Sequence, residues 1–170
     1  IYRYARMKGF VVSFFTNGTL LTPRIADEIS EYPPHMIEIT LYGYSQATYE
    51  GITGIPGSHA RCMRGIDLLL ERGLKLKLKT IAMRPNLHEL PAMQEFAEKL
   101  GVDFRYDPMI VAQLDSGNAP LAMRLSPQQV VEADLNNPRR VNQYQEMFQK
   151  FGHATVKPDR LYSCQAGTSS

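Results

Sequence analysis

The sequence predicts an α/β fold in which about four parallel strands alternate with helices. This prediction rests on the order of the segments. Four short runs rich in β-branched and aromatic residues are separated by runs with helical caps and helical periodicity. Such alternation implies parallel strands joined by right-handed crossovers. The composition is that of an ordinary globular domain, with 44% hydrophobic and 21% charged residues. An open doubly wound sheet and part of a β/α barrel both fit this order, and both bind ligands at the carboxyl ends of their strands.

The beginning of the chain is predicted as the end of a helix followed by a strand and a second helix. The opening residues read as the last turns of a helix that ends at Gly9, so we expect the chain to be a piece of a longer protein. Residues 10–15 form a short apolar strand, which the turn-forming pair Asn17-Gly18 ends. Thr22 before Pro23 predicts an N-cap with proline at the first helical position.

The rest of the chain continues the alternation. Ser58 is predicted to cap a helix, and residues 74–83 alternate between apolar and polar side chains as a strand does. The predicted elements after the second helix, in chain order, are a strand at 36–42, a helix at 58–72, a strand at 74–83, a helix at 91–100, a strand at 103–110 and a helical region from 127 interrupted at 136–138.

Three consecutive strands carry a polar row opposite an apolar row. The polar rows are Glu38, Thr40 and Tyr42; Lys75, Lys77 and Lys79; and Arg105 and Asp107. Because side chains alternate at period two, these rows are expected to share one face of the sheet. Closed eight-stranded barrels fill their interior with Val, Ile and Leu. The pattern therefore indicates either a wider, incomplete barrel that holds a charged ligand, or a sheet with one solvent-exposed face.

Charge and cysteine content exclude several classes of function. A formal charge of +2 and the lack of a long basic run argue against nucleic acid, and no apolar run is long enough to cross a membrane. Cys62 and Cys164 match neither zinc nor C-x-x-C spacing, and Cys62 is predicted to be a small core residue of its helix. No export signal is evident, so the predicted location is the cytoplasm.

The polar residues at the strand ends are the candidates for ligand binding. Thr16 and Asn17 end the first strand, although Asn-Gly also favours a simple turn. Thr40 and Ser45 could bind a ribose through their hydroxyls, but Ser45 could equally cap a short helix at its carboxyl side. Asn86, with a glutamate three residues on, fits a turn or cap at least as well as a ligand contact. No Gly-rich phosphate loop or familiar catalytic motif occurs.

The whole chain resembles the radical SAM superfamily, especially its peptide-modifying members with a C-terminal SPASM extension. The resemblance is carried by the order and spacing of several elements. These are Phe14-Phe15-Thr16-Asn17-Gly18, Ile37-Glu38-Ile39-Thr40-Leu41-Tyr42-Gly43, Thr53-Gly54-Ile55-Pro56-Gly57-Ser58, Arg64-Gly65-Ile66-Asp67-Leu68-Leu69, Leu78-Lys79-Thr80-Ile81-Ala82-Met83 and Phe104-Arg105-Tyr106-Asp107-Pro108. Tyr42 departs from the family pattern, in which Asp is common at that position.

The resemblance implies a six-stranded partial β/α barrel of the TIM type, of which this chain would hold strands three to six. In the family a 4Fe-4S cluster, bound by a C-x-x-x-C-x-x-C motif, reduces S-adenosylmethionine to a 5′-deoxyadenosyl radical that abstracts a substrate hydrogen. Neither that motif nor the Gly-Gly-Glu-Pro motif of the second strand occurs in this chain. The residues that the resemblance assigns to the cofactor are Thr16 and Asn17 on strand three, Thr40 at the ribose, Lys79 on strand five and Asn86 in the loop after it.

The resemblance also implies two domains and a function. Residues 1–125 would be the partial barrel, and residues 126–170 a helical linker leading to a SPASM-type extension, with Cys164 as a ligand of an auxiliary cluster. The expected parent protein is a radical SAM oxidoreductase acting on a peptide or small protein, and the chain alone is expected to be inactive and to bind no cofactor. The alternatives are a non-catalytic module for an adenosyl ligand or peptide, and an unrelated phosphate-binding α/β domain. Strands three and six would be open edges, so a homo-oligomer is expected.

Overall fold

The sheet of this protein is built from four parallel strands that follow one another in chain order. In the computed structural model, which describes residues 1–114 and 117–151, the order across the sheet is β1-β2-β3-β4 and every pair is parallel. The strands are β1 (Ser13–Thr16), β2 (Met36–Thr40), β3 (Leu76–Ile81) and β4 (Asp103–Asp107). The predicted α/β class with parallel strands is therefore confirmed.

Helices connect each strand to the next. The helices are α1 (Tyr2–Met7), α2 (Pro23–Glu31), α3 (Gln46–Thr53), α4 (Ser58–Leu70), α5 (Leu90–Lys99), α6 (Pro127–Leu135) and α7 (Pro138–Phe151), with short 3₁₀ segments at Leu87–Glu89 and Ala119–Met123. Helix α2 joins β1 to β2, helices α3 and α4 join β2 to β3, and α5 joins β3 to β4. Each connection is thus a β-α-β crossover, the arrangement that parallel strands require.

Two of the predicted helix caps are confirmed and one is wrong. The Thr22 hydroxyl accepts a hydrogen bond from the Ile25 amide, and Ser45 caps α3 by accepting one from the amide of Thr48. Ser58, in contrast, is the first residue of α4, whose N-cap is Gly57. The Ser58 hydroxyl instead lies 2.9 Å from that of Thr53, so it links the end of α3 to the start of α4.

The core lies on one face of the sheet. The strand register sets Ile37 beside Leu76 and Ile39 beside Leu78, and all four side chains are buried. Full burial of an aliphatic side chain of this size stabilises the fold by roughly 1.5–3 kcal/mol. The predicted polar rows lie on the opposite face, since Glu38 pairs with Lys77 in the same register. The prediction that these rows share a face is confirmed.

The strands are shorter than predicted. The first begins at Ser13 instead of residue 10, because Phe10 and Val11 lie outside the sheet with exposed side chains. The third and fourth end at Ile81 and Asp107. Alternation in the sequence continues beyond the residues that hydrogen-bond to a neighbouring strand, so it does not determine where pairing stops.

The chain divides into two compact units, Ile1–Pro127 and Gln128–Ser170. The first contains the sheet. In the second, the Asn137 side chain accepts hydrogen bonds from the amides of Arg139 and Arg140 at the start of α7, and Asp134 accepts one from the Tyr144 hydroxyl at 2.6 Å. The assignment of residues 126–170 to a linker and a SPASM-type extension stays a prediction. None of the helices that the structure describes is both long and apolar enough to cross a membrane.

Candidate functional site

The carboxyl ends of the strands bring several of the predicted residues to one edge of the sheet. Thr16 is the last residue of β1, and Asn17 follows it directly. Thr40 is the last residue of β2 and pairs in register with Lys79 of β3. The structure thus brings Thr40 and Lys79 together on the polar face. Thr16, at the end of the neighbouring strand β1, pairs in register with the buried Ile39, so its side chain lies on the apolar face and not beside Thr40 and Lys79. Asn17 follows it in the turn.

Thr16 and Asn17 form a tight local turn. The Thr16 hydroxyl accepts a hydrogen bond from the Gly18 amide at 3.1 Å, and the Asn17 side chain accepts hydrogen bonds from the amide and hydroxyl of Thr19. Gly18 has a φ of +72°, a conformation that glycine adopts without strain. The turn interpretation of this motif is confirmed. Since the Asn17 side chain is exposed and that of Thr16 is half-buried, contact with a ligand at this edge stays a prediction.

Helix α4 approaches this turn so closely that only glycine fits. A Cβ placed on Gly65 would lie 2.4 Å from the carbonyl oxygen of Gly18 and 3.3 Å from Leu21. The turn after β1 is therefore held by backbone packing against α4 as well as by its own hydrogen bonds.

Asn86 occupies the interior, where it joins the loops that follow β2 and β3. Its side chain is 0% exposed and accepts a hydrogen bond from the Met83 amide at 2.8 Å. Its amide nitrogen donates to the carbonyl oxygens of Tyr42 and Ile81, each at 2.9 Å, and lies 3.3 Å from the Thr80 hydroxyl. Both polar groups of the side chain thus bind protein, and the geometry gives Asn86 the role of holding the end of β2. Direct contact with a cofactor stays a prediction.

Glu89 makes a second connection between the same two loops, whereas the sequence predicts it only as part of a turn or cap. Its carboxylate accepts hydrogen bonds from the Ser45 hydroxyl at 2.5 Å and the Thr48 hydroxyl at 2.7 Å. The backbone amides of Tyr44 and Ser45 donate to its other oxygen. Burial raises the pKa of this carboxyl, but the four hydrogen bonds outweigh that effect and hold the pKa below its ordinary value.

The polar face carries an ion cluster at Glu38, Lys79 and Arg105. The Arg105 guanidinium binds Glu38 with two hydrogen bonds, from Nε at 2.9 Å and from Nη2 at 2.7 Å, and Lys79 Nζ lies 3.1 Å from Oε1 of the same carboxylate. The hydrogen bond from Arg105, assisted by Lys79, lowers the pKa of Glu38 against the opposing effect of burial. Of the three, only Lys79 is a predicted site residue. The other two are visible in the sequence as members of the polar rows.

Cys62 is buried in the core, as the sequence predicts. Burial raises the pKa of its thiol to about 11. A buried neutral thiol is a poor iron ligand, since metals bind the thiolate. No group of three metal-ligating side chains occurs within residues 1–114 and 117–151, so the described residues do not fit an iron–sulfur cluster. Cys164, the predicted ligand of an auxiliary cluster, lies outside them.

The described site is thus suited to binding. Hydroxyl, amide and ammonium groups lie at or near the strand ends, where they can hydrogen-bond a polar ligand. Asn86 and Glu89 hold the loop after β2 in place, through hydrogen bonds to the Tyr42 carbonyl and from the Ser45 amide.

Several known proteins are similar to the chain in sequence. No family model matches the chain. It is 31% identical over 101 residues to an AdoMet-dependent heme synthase of Methanosarcina barkeri (strain Fusaro / DSM 804). The aligned region covers 59% of this chain and 29% of that protein. It is also 30% identical over 99 residues to a PqqA peptide cyclase of Ruegeria pomeroyi, with 58% of this chain and 26% of the relative covered. The chain thus spans less than a third of the length of these curated relatives.

The fold is similar to that of a solved structure, native anSMEcpe with bound AdoMet and a Cp18Cys peptide. The TM-score is 0.56 at 13% sequence identity, and the match covers 82% of this chain and 38% of the other. At that identity the likeness supports the fold, which is the partial barrel implied by the sequence resemblance. Together, the relatives, the strand order and the matching fold support the resemblance of the chain to the radical SAM superfamily.

Proposed function

We propose that the chain forms the S-adenosylmethionine-binding strands three to six of a radical SAM enzyme that modifies a peptide or small protein. The observation that carries this proposal is the hydroxyl of Thr40. It lies at the carboxyl end of β2, is half-buried, and makes no hydrogen bond to any residue that the structure describes. Its oxygen is not among the buried side-chain atoms, so it is accessible to a ligand, to which a hydroxyl can both donate and accept a hydrogen bond.

The names of the relatives support the choice of cofactor and substrate. Two of them, the heme synthase and the solved anSMEcpe structure, carry AdoMet in their names. The PqqA cyclase is named for a peptide, and the anSMEcpe structure holds one. A peptide or small protein is therefore the substrate class that we propose.

Each predicted residue has a role in this proposal. Thr40 hydrogen-bonds the ribose and Asn17 binds a polar group of the cofactor from the end of β1, while Thr16 holds the turn that carries Asn17. Lys79 supplies positive charge beside Thr40, its partner in the strand register. Asn86 acts indirectly, by donating a hydrogen bond to the Tyr42 carbonyl and so holding the loop after β2. The bound cofactor and a reduced 4Fe-4S cluster would supply radical chemistry.

The described residues offer no ligand set for that cluster, so we propose that the 170-residue chain alone is inactive. Cluster ligands in this proposal belong to a longer protein that contains the chain, consistent with the small share of each relative that it covers. Cys164 stays a candidate ligand for an auxiliary cluster.

The test compares the full-length protein containing this chain with the 170-residue chain, both reconstituted anaerobically with iron and sulfide. The assay is formation of 5′-deoxyadenosine from S-adenosylmethionine under reducing conditions. We expect product from the longer protein and none from the chain. A longer protein that holds an intact cluster but forms no product would overturn the enzyme proposal, and binding of the cofactor without cleavage would favour the non-catalytic module.

Calorimetry with S-adenosylhomocysteine isolates the role of Thr40 in the full-length protein. Thr40→Val removes the hydroxyl with little change of shape, and loss of one hydrogen bond should weaken binding about fivefold to tenfold. Ser30→Ala is the control, because it removes a hydroxyl whose one hydrogen bond within the described residues goes to the Asp27 carbonyl of the same helix, α2. Equal affinity of the Thr40→Val and Ser30→Ala variants would contradict the ribose contact.

Association through strand edges is a further part of the proposal. Strands β1 and β4 are the outer strands of the described sheet. An exposed strand edge presents unpaired backbone groups that can pair with another chain. We expect the 170-residue chain to form oligomers in light scattering, and a monomer over a wide concentration range would contradict this.

A further inference from the structure

The cluster of Glu38, Lys79 and Arg105 connects three strands across the polar face. Glu38 belongs to β2, Lys79 to β3 and Arg105 to β4. Lys79 pairs in register with Arg105. Both cations donate to Oε1 of Glu38, which brings a guanidinium and an ammonium nitrogen to one carboxylate oxygen. The side chain of Glu38 is only 3% exposed, so the carboxylate forms the buried floor of this cluster.

Within the cluster one carboxylate faces two cations, and Asp107 on the same face of β4 adds a negative charge that acts on Arg105. The Arg105 side chain remains 53% exposed and that of Lys79 23% exposed. Arg105 binds Glu38 through Nε and Nη2, and its Nη1 has no acceptor among the residues that the structure describes. Lys79 also retains N–H groups beyond the one that faces Glu38. Free cationic donors therefore point away from the buried carboxylate.

Stability alone is a weak reason for such a cluster. Taking a carboxylate and its partners out of water costs free energy that their mutual attraction only partly offsets, so apolar side chains would serve a purely structural role as well. The aliphatic core already lies on the opposite face. A buried carboxylate that fixes two partly exposed cations is, however, a good way to preorganise an anion site, because the cations lose little freedom on binding.

We propose that Lys79 and Arg105 bind a carboxylate of the substrate, and that Glu38 is the positioning residue that orients them. The guanidinium and the ammonium together match the planar, two-oxygen geometry of a carboxylate. The ring of Phe15, which is exposed on β1 with its centroid 5.1 Å from Lys79 Nζ, supplies an apolar wall beside the charge. This inference rests on the proposed function in one respect, that the polar face is the side that meets the substrate.

Two sources of a carboxylate are chemically equivalent, the substrate and the amino-acid part of the cofactor. Position favours the substrate. Lys79 adjoins both proposed sites, since it pairs in register with Thr40 on one side and Arg105 on the other, whereas Arg105 lies at the centre of β4, one strand further from Thr40. Competition between glutarate and S-adenosylhomocysteine distinguishes the two sources.

The charge balance predicts opposite effects for the two kinds of variant. Arg105→Gln and Lys79→Met each remove one donor, so each should weaken carboxylate binding about tenfold. Glu38→Gln removes the internal negative charge but keeps a side-chain oxygen that can still accept from Lys79 and Arg105 and orient them, so it should strengthen binding at least about twofold. Lys77→Met is the matched control, since Lys77 lies on the same face of β3 but pairs with Asp103 at 3.0 Å. It should change affinity by less than about twofold.

The experiment is an NMR titration of the 170-residue chain with glutarate, which follows the Arg105 Nε–H signal and, so that the Arg105→Gln variant can be compared, the backbone amide signals of β3. Saturable shifts in the unmodified chain, together with the predicted order of the four variants, would support the proposal. Thermal unfolding of each variant excludes misfolding, and the expected tightening by Glu38→Gln cannot arise from lost structure. No saturable shift, or equal loss of binding in Lys77→Met and Lys79→Met, would overturn it.

Competition with S-adenosylhomocysteine then identifies the source of the carboxylate in the full-length protein. Simultaneous binding of glutarate and S-adenosylhomocysteine supports a substrate carboxylate. Displacement of glutarate would assign the cluster to the cofactor and overturn the proposal. Glutarate binding in a protein that does not bind S-adenosylhomocysteine would leave the anion site standing and count against the proposed cofactor, so the two failures are distinguishable.

Discussion

Gly65 offers a direct test of how the turn after β1 is held. Gly65→Ala places a methyl group 2.4 Å from the carbonyl oxygen of Gly18, whereas real Cβ atoms essentially never approach closer than 3.0 Å. The obstacle is backbone, so a side-chain rotation cannot relieve it. Either α4 or the turn must move.

The expected magnitude is the difference of two effects. Replacing glycine by alanine within a helix gains about 0.5–1 kcal/mol from the lower entropy of the unfolded chain. Overpacking of a tight contact costs typically about 1–3 kcal/mol. We therefore expect Gly65→Ala to reduce the free energy of unfolding by about 1–2 kcal/mol. A methyl group on Gly51, inside α3, would meet no atom within 4 Å, so Gly51→Ala should increase the free energy of unfolding by about 0.5–1 kcal/mol.

Urea unfolding of both variants, monitored by circular dichroism, provides the measurement. Binding of S-adenosylhomocysteine by the full-length variants adds a second readout, because movement of the turn shifts Thr16 and Asn17. We expect weaker binding for Gly65→Ala alone. If Gly65→Ala were stabilised as much as Gly51→Ala, the close approach of α4 to the turn would be wrong.

Three further predictions concern buried groups. Because hydrogen bonds lower the pKa of Glu89 in the folded protein, its stabilising effect is present above the unfolded pKa of about 4.3 and is lost as pH falls through the folded pKa. Glu89→Gln should therefore cost about 2 kcal/mol at pH 7 and much less at pH 3 in urea unfolding, and an equal cost at both would contradict this. Asn86→Ala leaves the buried Met83 amide without its acceptor and should cost about 2 kcal/mol in the same assay, whereas a loss below about 0.5 kcal/mol would refute the role of Asn86. In a Cys164→Ser background, Cys62 should react with a thiol reagent at pH 8 only as fast as the protein opens, because burial raises the pKa of the Cys62 thiol to about 11. Rapid reaction of the native protein would disprove the burial of Cys62.

The fold was predictable because its signals are local. The N-caps at Thr22 and Ser45 depend on residues only three positions away. The alternation of β3 is likewise contained in six residues, and it predicts which side chains face the core. Ser58 shows the limit, since a serine before a helical run can equally be its first residue, and Gly57 with a φ of +73° takes the cap.

The interactions that organise the site were not predictable, because they join distant parts of the chain. Glu38 and Arg105 are 67 positions apart, and their contact depends on the register of two successive strand pairs. Alternation places both on the polar face but does not align them. Glu89 meets Ser45 across 44 positions, so its role as a link between loops had no local signal.

The site is therefore best understood as a rigid inner layer that carries a freer outer one. The inner layer consists of Asn86, Glu89 and the contact of Gly65 with Gly18, all of which join separate loops through buried or backbone atoms. The outer layer includes Asn17 and Thr40, whose side chains bind only their own turn or nothing in the described chain. Substitution in the inner layer should change stability and binding together, since the loops move with the layer that holds them. Substitution in the outer layer should change binding alone. That separation follows from the geometry of the hydrogen bonds, and it holds whichever ligand the strand ends accept.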